Sequence, residues 1–348
     1  MKLKKCISTI ALSFVMLVAT ACQDDGTGNY GFISTPASDE PVTEKYYYNI
    51  VDANGQLAVQ NQQLVNKDGQ AVMLRGISYG WHNWWPRFYN KKSVYNLAHD
   101  WHATVVRASM GVDEENCYVD DPDTAVKCVT SIVDGAIDAG IYVLIDWHCH
   151  HIRTDEAVEF FTEMANKYKA YPNVIYEIYN EPTDIEKWAD VKVYSTKVIE
   201  AIRAIDKDNI ILIGTPHWDT DVALAVADPI TGFDNIMYTF HFYAATHKGD
   251  VRAKAQAGLD GGLPLFVSEC AYWEATGDGQ FDLDSWSEWV TWMESNKISY
   301  ITWCMTDDSM LLPSASATGP WDDSELTQWG KDARTETLKN WSEPTENK

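Results

Sequence analysis

Apolar residues recur along this chain in two alternating rhythms. Short runs rich in Val, Ile, Leu and Phe, with polar residues at their ends, read as strands buried on both faces: Val72–Ser78, Thr104–Ser109, Tyr142–His148, Val174–Glu181, Ile210–Thr215, Ile236–Tyr243, Leu265–Cys270 and Tyr300–Met305. Between them, apolar positions three and four apart predict amphipathic helices, among them Asp123–Ala139, Asp155–Lys169, Ile185–Ile205 and Asp284–Asn296. Eight strand–helix repeats with no long interruption favour an α/β fold of the closed (β/α)8 TIM-barrel kind over a doubly wound sheet. Ahead of them, residues 49–76 alternate apolar and polar around the turn signals Asn54-Gly55 and Asp68-Gly69. That pattern predicts a short N-terminal β-hairpin leading into the first barrel strand.

The first 45 residues follow neither rhythm. Lys2, Lys4 and Lys5 precede a mostly apolar stretch from Ile7 to Val18, too short and wrongly flanked for a membrane span, so residues 1–21 read as an export signal. It ends in Ala19-Thr20-Ala21-Cys22, which resembles a bacterial lipobox; cleavage before Cys22 would leave a lipidated N-terminus, and cleavage as a plain secretory signal is the alternative. Residues 22–45, rich in Gly, Ser, Thr, Pro, Asp and Glu, read as a flexible tether. Gln23-Asp24-Asp25 resembles the acidic signal that carries some bacterial lipoproteins to the outer surface. The expected organisation is a single catalytic barrel over 46–342 and a short tail over 343–348, with no second globular domain and no separate carbohydrate-binding module. The expected location is the bacterial envelope, with the lipid as sole membrane contact, and the expected assembly is a monomer.

Charge narrows the partners. A formal net charge of −24, from 51 acidic and 27 basic side chains, repels phosphate backbones and argues against nucleic acid. Fifteen Trp and eighteen Tyr are many for 348 residues. Flat aromatic faces suit the C–H faces of sugar rings, although more than half are expected to serve core packing. Export permits a disulfide, for which Cys117 and Cys128 are the nearest pair in sequence, and no cysteines have zinc-like C-x-x-C spacing.

Polar groups collect where the strands end, the rim at which barrel active sites sit. Arg107 closes the second strand in this reading, His148 the third, Asn180 and Glu181 the fourth, His241 and Tyr243 the sixth, Glu269 the seventh and Trp303 the eighth. Any one of them could be structural; six strands offering such a group at one level is harder to dismiss. Glu181 and Glu269 each end an apolar run, where a charge must face a cleft. Retaining glycosidases need two carboxyl groups about 5–5.5 Å apart, and convergent strand ends can supply them. A close anionic Glu269 is expected to raise the pKa of Glu181, keeping it protonated for the leaving oxygen until Glu269 is esterified.

The ordered set LRGIS, VVRASM, LIDWH, YPNVIYEIYNEP, TFHFYAATH and LPLFVSE resembles the cellulase-type glycoside hydrolases of family 5, over roughly residues 46–342. The resemblance implies that Glu181 is the general acid/base and Glu269 the nucleophile, with neither metal nor organic cofactor. It implies that Asn180 bonds the sugar 2-hydroxyl, that Arg107 and Tyr243 hold Glu269, that His148 and His241 line the cleavage subsite, and that Trp303 floors it. Trp84, in GWHNWWP, and Trp218, in GTPHW, look like platforms on either side. Two departures stand out. Cys270-Ala271 replaces the Trp-Gly that follows the nucleophile in many relatives, and Asp307-Asp308 lies where many place a Lys for distal sugars.

Other readings compete. His148, His150 and His151 with Asp146 suit a metallohydrolase by residue type, but alternate strand residues face opposite sides and the last two histidines fall in the following loop. A non-catalytic surface glycan-binding protein shares the anchor and the aromatics, yet has no need of two convergent carboxylates. Among enzymes, internal cleavage of β-1,4-glucan, as cellulose or a related β-glucan, is favoured, with mannan and xyloglucan as alternatives.

Overall fold

The computed structural model describes residues 49–277 and 279–339. A short helix, α1 (Ile50–Asn54), and a two-stranded hairpin, β1 (Ala58–Gln60) with β2 (Gln63–Val65), come first. Eight parallel strands then close into a barrel: β3 (Arg75–Tyr79), β4 (Val105–Gly111), β5 (Tyr142–His148), β6 (Val174–Glu177), β7 (Ile211–Ile213), β8 (Ile236–Tyr243), β9 (Leu265–Ala271) and β10 (Tyr300–Met305). They pair in chain order, and β10 returns to β3. Helices α2 (Lys91–Asp100), α3 (Pro122–Ala139), α4 (Thr154–Tyr168), α5 (Trp188–Ile205), α6 (Val222–Ala227), α7 (Gly249–Asp260) and α8 (Leu283–Asn296) alternate with the strands, and α9 (Gln328–Leu338) follows the last.

Local chemistry sets the helix bounds. Asp121 accepts the Thr124 backbone N–H at 3.1 Å and Pro122 opens α3; Gly140, at φ 71°, ends it in the left-handed region. The buried face of α3, Ala125, Cys128, Val129, Ile132, Val133 and Ala136, keeps the three-and-four spacing that identified it. Helix α5 starts at Trp188 rather than Ile185 because Glu186 is engaged elsewhere, accepting the Thr183 N–H at 3.1 Å and pairing with His151 at 2.9 Å.

Two expectations shift. The hairpin is present, but its turn lies at Asn61-Gln62, both at positive φ, whereas Asn54-Gly55 terminates α1 and Asp68-Gly69 makes a separate turn. The strand expected to run to Glu181 stops at Glu177, where its regular pairing with the 3-residue β7 ends at Leu212. Backbone bonds still hold the continuation: Asn180 N–H donates to Trp147 O at 3.1 Å and Glu181 N–H to Cys149 O at 3.2 Å. Cys117 is a buried thiol, not joined to Cys128. The anchor residue Cys22 lies outside the described residues.

The interior is layered. Leu74, Val105, Leu144, Ile175, Leu212, Met237, Phe266 and Ile301 form an apolar plug at the N-terminal end, and Val51, Leu57 and Leu64 from α1 and the hairpin pack with it. Gly76 fits there only because it lacks a side chain: a Cβ would meet Val105 O at 1.8 Å. On the other side of the strands, the larger core seats the helices against the barrel. The plug closes one end, so the polar interior opens at the other.

Candidate active site

Arg107 organises that polar interior. Expected at a strand end, it is third in the seven-residue β4 and fully buried, one layer deeper than the rim. Its Nε donates to Glu177 Oε2 at 2.7 Å, Nη1 to Glu269 Oε2 at 2.9 Å, and Nη2 to Asn180 Oδ1 at 2.6 Å; Asp146 Oδ2 lies 3.0 Å from Nη2. Because the Asn180 oxygen is committed to Arg107, its amide nitrogen is the free end. That buried nitrogen has no partner among the described residues and is available to a ligand hydroxyl.

The two carboxylates meet across the mouth. One carboxylate oxygen each from Glu181 and Glu269, with one ring nitrogen of His241, all lie within 4.8 Å of one another. Glu269 is 4% exposed and receives Tyr243 Oη on Oε1 at 2.5 Å as well as Arg107 on Oε2. Glu181 stands just beyond β6, with His241 Nδ1 2.8 Å from Oε1 and His150 Nε2 3.5 Å from Oε2. In this arrangement the same atoms are hydrogen-bonded, Glu181 to His241, His241 on to Ser268, and Glu269 to Tyr243. The histidine cluster also diverges: His148 Nδ1 bonds Asp146 at 2.6 Å, His150 faces Glu181 and His151 pairs with Glu186.

Electrostatics reverses one expectation. Burial alone would push the Glu181 carboxyl up, but the His150 imidazole 3.5 Å away and His241, hydrogen-bonded at 2.8 Å, outweigh it and hold Glu181 well below the usual range in the free site. Glu269 moves the other way: burial and the Glu181 charge raise it more than His241, Arg107 and Tyr243 lower it. His241 is driven down by burial but raised further by Asp219, Glu177 and Glu181, so it holds a proton well above its ordinary range. Burial and the Arg107 charge push His148 far down, keeping it neutral. Tyr243, raised by burial and then by the Glu269 charge, stays a donor.

Aromatic rings extend the site in two directions. Trp303 stacks on His148 at 5.3 Å and 6°, with the Arg107 guanidinium 5.8 Å from its ring centre. His148 meets Trp81 edge-on at 4.4 Å, and Trp81 stacks on Trp84 at 4.7 Å; Trp84 is 40% exposed. Trp218, 43% exposed, lies on the opposite flank, its backbone N–H donating to Pro182 O at 2.9 Å, one residue past Glu181. His217, Trp218 and Asp219 take φ of 58°, 52° and 62°, a left-handed run that turns Trp218 outward and Asp219 inward. Asp307, in the Lys-lacking segment, pairs with Arg87.

Several members escaped sequence reasoning. Glu177 was visible as an acid inside an apolar run, VIYE, two residues beyond the plug residue Ile175. His150 and Asp219 reach the site only through loop geometry. Ser268 was hidden by alternation, which sends it to the face opposite Glu269. A register shift lifts that restriction: Thr239 pairs with Phe266 but His241 with Glu269, so two steps on β8 match three on β9. This bulge lets Ser268 and Glu269 both face the mouth.

Comparison with known proteins agrees with this architecture. The family model described as cellulase, glycosyl hydrolase family 5, matches residues 65–309. An endoglucanase of Clostridium saccharobutylicum is 40% identical over 286 residues, which is 79% of this chain and 63% of that protein. A solved structure from Cytophaga hutchinsonii superposes with a TM-score of 0.82 at 42% identity, covering 84% of this chain and 97% of the other. The catalytic domain of a Thermobifida fusca endoglucanase, solved as a variant in complex with cellotetraose, gives 0.79 at 31% identity, covering 84% and 100%. The chain spans about three-fifths of the length of the curated relatives it matches. With the eight-stranded barrel and a family match over most of its length, the chain belongs to glycoside hydrolase family 5.

Proposed function

We propose that this protein is a retaining endo-β-1,4-glucanase that hydrolyses internal bonds of cellulose or a related β-glucan. The observation that carries the reading is the convergence of Glu181 and Glu269 on one mouth, with an oxygen of each within 4.8 Å of the other. Carboxyl groups in inverting glycosidases stand about 6.5–9.5 Å apart to admit a water, whereas retaining ones are close enough for direct attack. Glu269, with a donor on each oxygen, is the nucleophile on the anomeric carbon. Glu181 gives a proton to the departing oxygen and later takes one from water. The free amide of Asn180 meets the sugar 2-hydroxyl, whose hydrogen bond strengthens as positive charge grows on the ring. Neutral His148 and the Trp303 ring shape the reacting subsite; Trp84 extends it on one flank and Trp218 on the leaving-group flank beside Glu181.

The β-1,4-glucan preference draws on the endoglucanase relatives and on the cellotetraose bound by the Thermobifida fusca domain. A 2-deoxy-2-fluoro cellobioside should label the enzyme at Glu269, located by peptide mass mapping, and assays on cellulose derivatives, mixed-linkage glucan, mannan and xyloglucan should rank the glucans first. Labelling at another carboxylate would remove Glu269 from its role. Hydrolysis surviving in Glu269→Gln would do the same, while loss of hydrolysis with binding retained supports catalysis over simple glycan capture.

Lipidation at Cys22, supported by the lipobox resemblance, would hold the enzyme at the cell envelope. Mass spectrometry of the native N-terminus should find acyl chains on Cys22, and Cys22→Ser should release the protein from membranes. An unmodified mature N-terminus contradicts the anchor.

A further inference from the structure

Behind the two carboxylates runs a hydrogen-bonded chain that the reaction as described does not use. From Glu181 Oε1 it passes to His241 Nδ1 at 2.8 Å, from His241 Nε2 to Ser268 Oγ at 2.8 Å, and from Ser268 Oγ to Glu177 Oε1 at 2.5 Å. Glu177 Oε2 then accepts from Arg107 Nε, and Arg107 Nη1 reaches Glu269. Glu177, Ser268, His241 and Arg107 are all buried. The chain links the acid/base to the nucleophile through protein alone.

Proton counting fixes its direction. Glu177 accepts from Arg107 Nε at 2.7 Å and from Ser268 Oγ on its other oxygen, and against burial the Arg107 charge holds its carboxyl below the usual range, so it is an anion that only accepts. Ser268 has a single hydroxyl proton, and Glu177 takes it. The serine oxygen must then accept from His241, which places a proton on Nε2. Across the ring, Nδ1 and Glu181 Oε1 cannot face each other bare at 2.8 Å, so one further proton lies between them.

We propose that Ser268 and Glu177 are positioning residues that lock His241 as its Nε2–H tautomer, so that the proton destined for the leaving oxygen is stored between His241 Nδ1 and Glu181. The proposal rests on Glu181 being the acid/base. When the glycosidic bond breaks, its electron pair goes to the leaving oxygen, which takes the stored proton, while Glu269 bonds to the anomeric carbon. His241 is left neutral with its Nε2 proton, opposite an ionised Glu181. Water attacking the glycosyl ester returns the proton to the pair. A ring with its one proton on Nδ1 could not serve, because giving that proton up would leave an imidazolate.

Other charged groups bear on this pair. Arg107 on β4, Asp146 and His148 on β5, and His150 in the next loop face it from one side. Asp219 after β7, with Oδ2 3.4 Å from His241 Nε2, Tyr243 on β8, His247 beyond it and Glu269 on β9 face it from the other. The nearby carboxylates favour a proton on Nε2, in the same sense as the chain. Among the described residues, only Ser268 lies at hydrogen-bond geometry to accept from His241 Nε2, at 2.8 Å; Asp219 at 3.4 Å and Glu177 at 3.7 Å are more remote.

The test compares Ser268→Ala with Ser268→Thr in the full chain. The Ala variant should move the basic limb of the kcat/KM pH profile down by about one unit, the shift that one hydrogen bond to a charged group produces, because the stored proton is held less tightly. Its KM should stay near that of the unmodified enzyme, and Ser268→Thr should restore the profile. In ¹⁵N-histidine spectra, with His241 identified by the peak lost in His241→Gln, the Nε2-bound proton should be present in the unmodified enzyme and in Ser268→Thr, and lost or exchanged for Nδ1–H in Ser268→Ala. Glu177→Gln tests the other end: its amide can donate to Ser268, reversing the chain and favouring Nδ1–H, with a loss of about 10-fold or more in kcat. An unmoved basic limb and tautomer in a folded Ser268→Ala would overturn the proposal, as would failure of Ser268→Thr to restore either. If Glu181 is not the acid, Glu181→Ala will instead affect natural and activated glycosides alike, which sinks the functional reading by a separate measurement.

Discussion

Two residues apart on the same strands, the barrel interior changes character. Val105 gives way to Arg107, Leu144 to Asp146, Ile175 to Glu177 and Phe266 to Ser268. Every one of these side chains is essentially without solvent, yet the first of each pair is held by apolar packing and the second by ion pairs or hydrogen bonds. Burying apolar area is favourable at about 25 cal/mol per Å² and needs no particular partner. Burying Arg107 with three carboxylates around it costs desolvation that ion pairing offsets only when the geometry is good, and apolar replacements of such clusters are often neutral or stabilising. The difference teaches that the plug end exists for stability, while the charged layer is kept for what it does to Glu181 and Glu269.

That contrast can be broken by substitutions at each end. The largest effect belongs to the charged end: Glu181→Ala should lower kcat on natural glucan by roughly 10²–10⁴-fold while leaving the melting temperature close to its original value. Aryl glycosides with leaving groups that need no proton should lose far less, and equal losses on both would show that Glu181 does not supply the proton. At the plug end the signature inverts. Leu144→Ala should destabilise by about 2–5 kcal/mol in denaturant titration, with kcat per folded molecule unchanged. A kcat collapse without loss of stability would mean the two layers are not functionally separate.

Smaller effects sharpen the picture above the charged layer. Trp84→Ala and Trp218→Ala should each weaken action on long β-1,4-glucan by about 1–3 kcal/mol, the scale of ring stacking on an aromatic face. Remote binding is partly used to distort the reacting ring, so kcat should fall along with affinity. A short activated glycoside should respond much less. Equal losses on both substrates in a folded protein would reassign these tryptophans to the rim structure.

Much of this was legible because period-two and period-3.6 patterns are strong in a barrel. β5, β8 and β10 run over the residues the apolar runs marked, and the paired carboxylates stood out as charges ending such runs. What stayed hidden needs three dimensions. Arg107 reads as a strand-end residue, but only ring closure shows it contacting Glu177 and Glu269 across the interior. The β9 bulge breaks the alternation that separates Ser268 from Glu269, and no residue type announces it. The proton balance also eluded pattern: burial pushes the Glu181 carboxyl up, but His150 and His241 reverse the outcome, and His150 enters through a loop.

The central claim is that two carboxylates with oxygens within 4.8 Å act by successive displacements. Proton NMR of cello-oligosaccharide cleavage, recorded before the sugar mutarotates, reads it directly. The account predicts that the β anomer of the new reducing end appears first and the α anomer grows in only by mutarotation. An α anomer formed first would mean single displacement by water, and the assignment of Glu269 as a nucleophile would be wrong.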